Sequence, residues 1–199
     1  MISLYQIKPK FQQLLKPVLT ALYKLGVTAN MITWWAILLS LATGIIIWIH
    51  PYGKAFLILP LALLLRMALN ALDGMMARTY NMQSKSGEIL NELGDVVSDL
   101  CIFFPLLKLF SLNIYVLLGF LFLSVINEYT GILAKAVSGT RRYDGPMGKS
   151  DRAFIVGLIS LILYFNKTLL DHLNIVFIFC IALLIISTCV RIFKTLKTK

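Results

Sequence analysis

Five of the nine acidic residues in this 199-residue chain fall between positions 70 and 99: Asp73, Glu88, Glu92, Asp95 and Asp99. They stand between two strongly apolar runs. A carboxylate at membrane depth is costly and by default marks a functional site. On a helix, Asn70 and Asp73 are three apart and share a face. Asn91, Asp95 and Asp99 are four apart and share a face on the next helix. If the two helices are antiparallel neighbours, these oxygens converge. An oxygen-only set suits Mg2+ or Mn2+, and Mg2+ is commonly held by a few carboxylates together with substrate phosphates. Gly74, Gly87 and Gly94 leave room for close approach of backbone or substrate, and Arg78 is placed to meet a phosphate.

The elements that must position these residues follow from composition and patterning. Hydrophobic residues make up 59% of the chain and charged ones 14%, with a mean hydropathy of +0.83. Such a chain is an all-α integral membrane protein, and 1–199 reads as a single domain. Residues 1–27 space Leu4, Ile7, Phe11, Leu14, Leu15, Val18 and Leu22 as an amphipathic helix lying in the interface, bent or broken by Pro9 and Pro17. The rest, 28–199, is expected to form a six-helix bundle, with spans near 31–49, 55–77, 88–109, 113–136, 152–166 and 173–192. On this topology fifteen basic residues lie on the side of the two termini, against Lys54, Lys108 and Lys167 on the other. That bias puts both termini in the cytoplasm. The net charge of +10 then belongs to topology and anionic lipid, with no nucleic acid implied. Cys101, Cys180 and Cys189 lie in apolar runs without metal or disulfide spacing. The polar, proline-containing N-terminus is unlike a cleaved signal peptide.

The stretch from Asn70 to Asp99 resembles the signature of the CDP-alcohol phosphotransferase family, Asp-x-x-Asp-Gly-x-x-Ala-Arg followed at a distance by Gly-x-x-x-Asp-x-x-x-Asp. Asp73, Gly74, Ala77, Arg78, Gly87 and Asp95 match it, while Asn70 and Asn91 replace two of its aspartates. Thr28-Ala29-Asn30-Met31-Ile32-Thr33 is similar to the element before the family's first span. With Leu4–Pro9 and the Gly145–Arg152 loop, nearly the whole chain resembles a bacterial inner-membrane subgroup. The resemblance implies transfer of a substituted phosphate, expected to be phosphatidyl, from a CDP-linked donor such as CDP-diacylglycerol to an alcohol acceptor, with release of CMP. It implies Mg2+ or Mn2+ held by Asn70, Asp73, Asn91 and Asp95, with Asp95 also the catalytic base. Asn30, Gly74, Arg78 and Ser84 would contact the CDP moiety, and Lys149 and Arg152 the acceptor or a phosphate. A homodimer surrounded by membrane lipids is also implied.

Several residues carry two readings. Asp99 either replaces the charge missing at Asn91 or partners Arg66. Arg66, deep in the second span, requires an acid such as Asp99 or Glu128. Asn127, Glu128 and Tyr129 either line an acceptor cavity or pair with Arg66. Arg141 and Arg142 read as a solvated topogenic pair. The rival to an enzyme is a catalytically degenerate scaffold that binds nucleotide or lipid, favoured by Asn70 and Asn91. A transporter is disfavoured by the lack of an internal repeat.

Overall fold

The computed structural model describes residues 8–109 and 111–197, all of its regular elements being helical. The expected contributions of Leu4 and Ile7 to the first helix lie outside the described residues. The helices are α1 (Lys8–Lys24), α2 (Ala29–Ile49), α3 (Ala55–Thr79), α4 (Lys85–Phe103), α5 (Ile114–Ser138), α6 (Lys149–Phe165) and α7 (Leu173–Leu196). Short 3-10 turns, Phe104–Lys108 and Lys167–His172, follow α4 and precede α7.

Their ends have local causes. Thr28 caps α2 by accepting from the Met31 N–H, and Ser84 caps α4 by accepting from the Gly87 N–H at 3.0 Å. Pro105 cannot donate within a continuing helix, and α4 gives way there to the 3-10 turn. Gly139 closes α5 in the left-handed region at φ 75°. Hydroxyls inside the apolar helices satisfy themselves on the preceding turn, as Ser40 does on the Ala36 carbonyl and Ser124 on that of Phe120.

Six spans are expected from the sequence, and four helices meet the length and apolarity of a membrane span. Among the described residues the helices long and apolar enough to cross a membrane are Ala29–Ile49, Ala55–Thr79, Ile114–Ser138 and the Lys167–Leu196 run. The α4 helix carries Lys85, Glu88, Glu92, Asp95 and Asp99, too many charges for a lipid-facing span. The α6 helix has 17 residues. At ~1.5 Å per residue it reaches about 25 Å, short of the ~30 Å hydrocarbon core. Both helices pack within the bundle, α4 chiefly on α2 and α6 on α3, while α5 pairs with α7.

A large apolar core includes Phe56, Leu63, Phe103, Phe120, Leu163 and Phe177. A smaller cluster joins Leu19 of α1 to Ile32 of α2 and to Leu72 and Met76 of α3. Tyr23 of α1 stacks on Tyr80 with ring centroids 3.6 Å apart, fixing α1 beside the end of α3. Where α2 meets α4, a Cβ on Gly44 would stand 2.1 Å from the Cys101 carbonyl oxygen, so no larger residue permits this approach.

Candidate active site

The α3 and α4 helices are cross-linked by two reciprocal hydrogen bonds. Asn70 on α3 donates its side-chain amide to Asp95 Oδ1 on α4 at 2.9 Å. Asn91 on α4 donates to Asp73 Oδ2 on α3 at 3.0 Å. The i, i+3 spacing on one helix and the i, i+4 spacing on the other bring the four residues onto one shared interface. Both carboxylates are buried.

Their surroundings differ. Asp95 Oδ2 receives the ammonium of Lys149 from the first residue of α6. Asp73 Oδ2 also accepts from the Thr33 hydroxyl at 3.0 Å, while Asp73 Oδ1 is buried with no hydrogen-bond partner. Sequence reasoning quoted Thr33 within a motif and gave it no role; its position one helical turn from Asn30 was the available signal.

Asn70, Asp73, Asn91 and Lys149 line a cavity of about 1010 Å³. Asn30, Gly74, Arg78 and Ser84 line it too, beside Phe11 and Gln12 of α1. Gly87 sits where a Cβ would come within 2.7 Å of Asn30 Oδ1 and 2.9 Å of Ser84 Oγ, so the absence of a side chain keeps these polar groups together. The cavity continues into an apolar trough between α3 and α6, walled by Pro60, Leu63, Leu64, Gly157, Leu158 and Leu161. No periodicity in the sequence announced this trough, because it arises from the pairing of helices distant in the chain.

Behind the cavity lies a chain of buried ion pairs. Arg66 donates to Asp99 Oδ1 at 2.6 Å and to the Asp95 carbonyl at 3.1 Å. Arg152 donates to Asp99 Oδ2 at 2.6 Å, to Glu128 Oε1 at 3.0 Å and to the Met147 carbonyl at 3.1 Å. Arg141 joins Glu128 Oε2 at 2.9 Å and also engages Glu92. Thus Arg66 takes Asp99, and Glu128 serves Arg152 and Arg141 in place of Arg66. Arg152, expected at the acceptor or a phosphate, is 0% exposed with its guanidinium held by these groups. Arg141, expected in solvent, is largely enclosed at the cavity wall with its side chain 11% exposed, its guanidinium 4.8 Å from the Tyr143 ring. Asn127 donates to Thr188, away from Arg66, and Tyr129 is exposed.

A divalent ion fits the residues present. Asn70, Asp73, Asn91, Asp95 and Thr33 can each offer an oxygen between α3 and α4, with Lys149 and Arg66 the cations beside them, and Asp73 has a carboxylate oxygen without a hydrogen-bond partner. Among the described residues no three His, Cys, Asp or Glu side chains converge, so carboxamide oxygens must complete any ligand set.

Comparison with known proteins gives a consistent picture. The chain is 50% identical over 160 residues to inner membrane protein YnbA of Escherichia coli K12, covering 80% of each chain. Its fold is similar to that of Mycobacterium tuberculosis phosphatidylinositol phosphate synthase PgsA1 with CDP-DAG bound, at TM-score 0.75, 19% identity and coverage of 92% and 93% of the two chains. PgsA1 in complex with manganese and citrate is similar at TM-score 0.75 and 19% identity, with 92% and 88% covered. The CDP-alcohol phosphatidyltransferase family matches residues 26–193, and the chain belongs to that family.

Proposed function

We propose that the protein transfers a phosphatidyl group from CDP-diacylglycerol to an alcohol and releases CMP, using Mg2+ or Mn2+, at the cytoplasmic face of a bacterial inner membrane. The observation that carries this reading is the shape of the cavity. A polar end bearing Asn30, Asp73, Arg78, Ser84 and Lys149 opens into the apolar trough between α3 and α6. A donor with a charged nucleotide head and acyl chains matches both ends. Family membership and the CDP-DAG held by the PgsA1 relative support the same donor. The excess of basic residues beside both termini supports their cytoplasmic placement, and we extend the family resemblance to a homodimer.

When bound, the divalent ion neutralises diphosphate charge as CMP departs. The chain's own residues do the rest. Asn30, Gly74, Arg78 and Ser84 hold the CDP moiety, with Arg78 directed at phosphate. Asn70, Asp73 and Asn91 contribute oxygens to the ion together with Asp95. Asp95 accepts the proton of the acceptor hydroxyl. The acceptor oxygen forms its bond to the phosphorus bearing diacylglycerol, and the bond from that phosphorus to the CMP oxygen breaks. Both Asp95 oxygens already accept one hydrogen bond and each retains a second lone pair for this proton. Lys149 supplies positive charge beside the transferring group. Arg152, three residues on, meets the acceptor or phosphate only through the position it gives Lys149.

A second reading has one specific observation in its favour. The crosswise Asn70–Asp95 and Asn91–Asp73 bonds close the α3–α4 interface with the protein's own donors, as a nucleotide- or lipid-binding scaffold would need. Purified full-length protein incubated with CDP-diacylglycerol, Mn2+ and a panel of alcohols (glycerol phosphate, inositol phosphate and serine among them) separates the two. Acceptor-dependent CMP release supports the transferase; binding of the CDP-lipid with no release for any alcohol supports the scaffold.

A further inference from the structure

We propose that Lys149 is a built-in second cation of this centre, so that the site takes one divalent ion, at Asp73, and not two. The inference rests on reading the α3–α4 crossing as a divalent-ion centre. The crossing supplies two carboxylates, Asp73 and Asp95, where Asn70 and Asn91 supply neutral amides. Those two acids are unequal. The Lys149 ammonium occupies Asp95 Oδ2, the Asn70 amide occupies Oδ1, and the Arg66 guanidinium lies 4.0 Å from Oδ1. Asp73 has only neutral donors, Thr33 and Asn91, both on Oδ2. Its Oδ1 has no partner although the residue is only 3% exposed. The open ligand position is therefore on Asp73.

Lys149 is held where it is by more than its own ion pair. It opens α6, whose first turn is fixed by the Gly148 N–H donating to Asp151 Oδ2 at 3.1 Å. One turn further, Arg152 is clamped by Asp99 and Glu128 on α4 and α5. Lys149 and Arg152 share a helix face at i, i+3, so the buried arginine keeps the lysine against Asp95. A second dication on Asp95 would have to displace that ammonium and face the first ion, with no third carboxylate among the described residues converging to hold it.

The test is Mn2+ binding to the full-length protein in detergent, with free ion read by electron paramagnetic resonance. Wild type is expected to bind one Mn2+ per chain. Lys149→Gln, which frees Asp95, is expected to bind a second and weaker ion, while Lys149→Arg keeps the charge and binds one. Two ions on wild type overturn the proposal and leave the divalent-ion reading standing. No ion on wild type overturns the divalent-ion reading and this proposal with it. A folded Lys149→Gln protein that still binds one ion with unchanged affinity also overturns the role of Lys149. Should Lys149→Gln fail to fold, the wild-type count and the Lys149→Arg count decide: two ions on either overturns the proposal, and one on both upholds it.

Discussion

Asp99→Asn tests the ion-pair chain that holds the site together. Asp99 is 5% exposed and takes Arg66 on one oxygen and Arg152 on the other, each at 2.6 Å. Removing one partner of a buried pair costs about 3–5 kcal/mol, because the group left behind has lost its compensation. Here neither guanidinium is fully stranded. Arg66 keeps the Asp95 carbonyl at 3.1 Å, and Arg152 keeps Glu128 at 3.0 Å and the Met147 carbonyl at 3.1 Å. The low end, about 3 kcal/mol, is the expected loss. In a chain of this size that lowers the melting temperature by about 6–12 °C, read by helical circular dichroism in detergent. Arg152→Gln should cost a similar amount, since Asp99 keeps Arg66 and Glu128 keeps Arg141. The double variant should fall short of the sum by at least about 1 kcal/mol, since either change alone already breaks the shared pair. A drop below about 2 °C for Asp99→Asn, or strict additivity in the double variant, would refute the claim that these charges act as a unit.

Asp95→Asn should lower CMP release at least about 100-fold while the fold survives, and retained turnover would remove Asp95 as the base. Asn91→Asp replaces the donor that Asp73 accepts from at 3.0 Å with a second carboxylate. It should destabilise the ion-free protein by about 1–3 kcal/mol, and Mn2+ should reverse the loss in a melting assay run with and without chelator. In the trough, a Cβ on Gly157 meets Pro60 Cα at 3.5 Å, an ordinary contact. Gly157→Ala should therefore be neutral, whereas Gly157→Phe should raise KM for CDP-diacylglycerol and leave CMP affinity unchanged; equal effects on both would argue against acyl chains lying there.

What could be read from residues alone was what depends on helical period. Asn70 and Asp73 on one helix, and Asn91 and Asp95 on the next, meet across their interface because three- and four-residue spacing is a local property. The cost of a lone buried arginine likewise pointed to Asp99 as one of two partners for Arg66, and Asp99 is the partner. The destination of Glu128 was hidden, since its partners Arg141 and Arg152 arrive from a loop and from α6 through tertiary packing. Two of the six expected spans, α4 and α6, do not meet the length and apolarity of a membrane span, because apolar runs were counted without weighing the charges of α4 or the 17-residue length of α6. Family resemblance supplied the roles of Asn30, Ser84 and Arg78; their common cavity wall depends on how α2, α3 and α4 are assembled.

The three buried aspartates differ in a way that predicts opposite responses to neutralisation. Asp99 meets two guanidiniums, Asp95 an ammonium, an amide and the Arg66 guanidinium at 4.0 Å, and Asp73 accepts hydrogen bonds from a hydroxyl and an amide while the Lys149 ammonium acts on it through space. Compensation thus declines from the ion-pair chain toward Asp73 on the cavity wall, and Asp73 carries its charge with an unpartnered oxygen. A buried charge without a counter-ion costs stability unless a ligand supplies one. Asp73→Asn should therefore raise the melting temperature of the ion-free protein, by about 2–4 °C if about 1 kcal/mol of strain is relieved. It should also abolish any rise that Mn2+ gives the wild type. Asp99→Asn moves the other way, because its charge is already matched within the fold. If Asp73→Asn melts lower than wild type without ions, then Asp73 is compensated by the protein itself, and the case for a cation at that oxygen is lost.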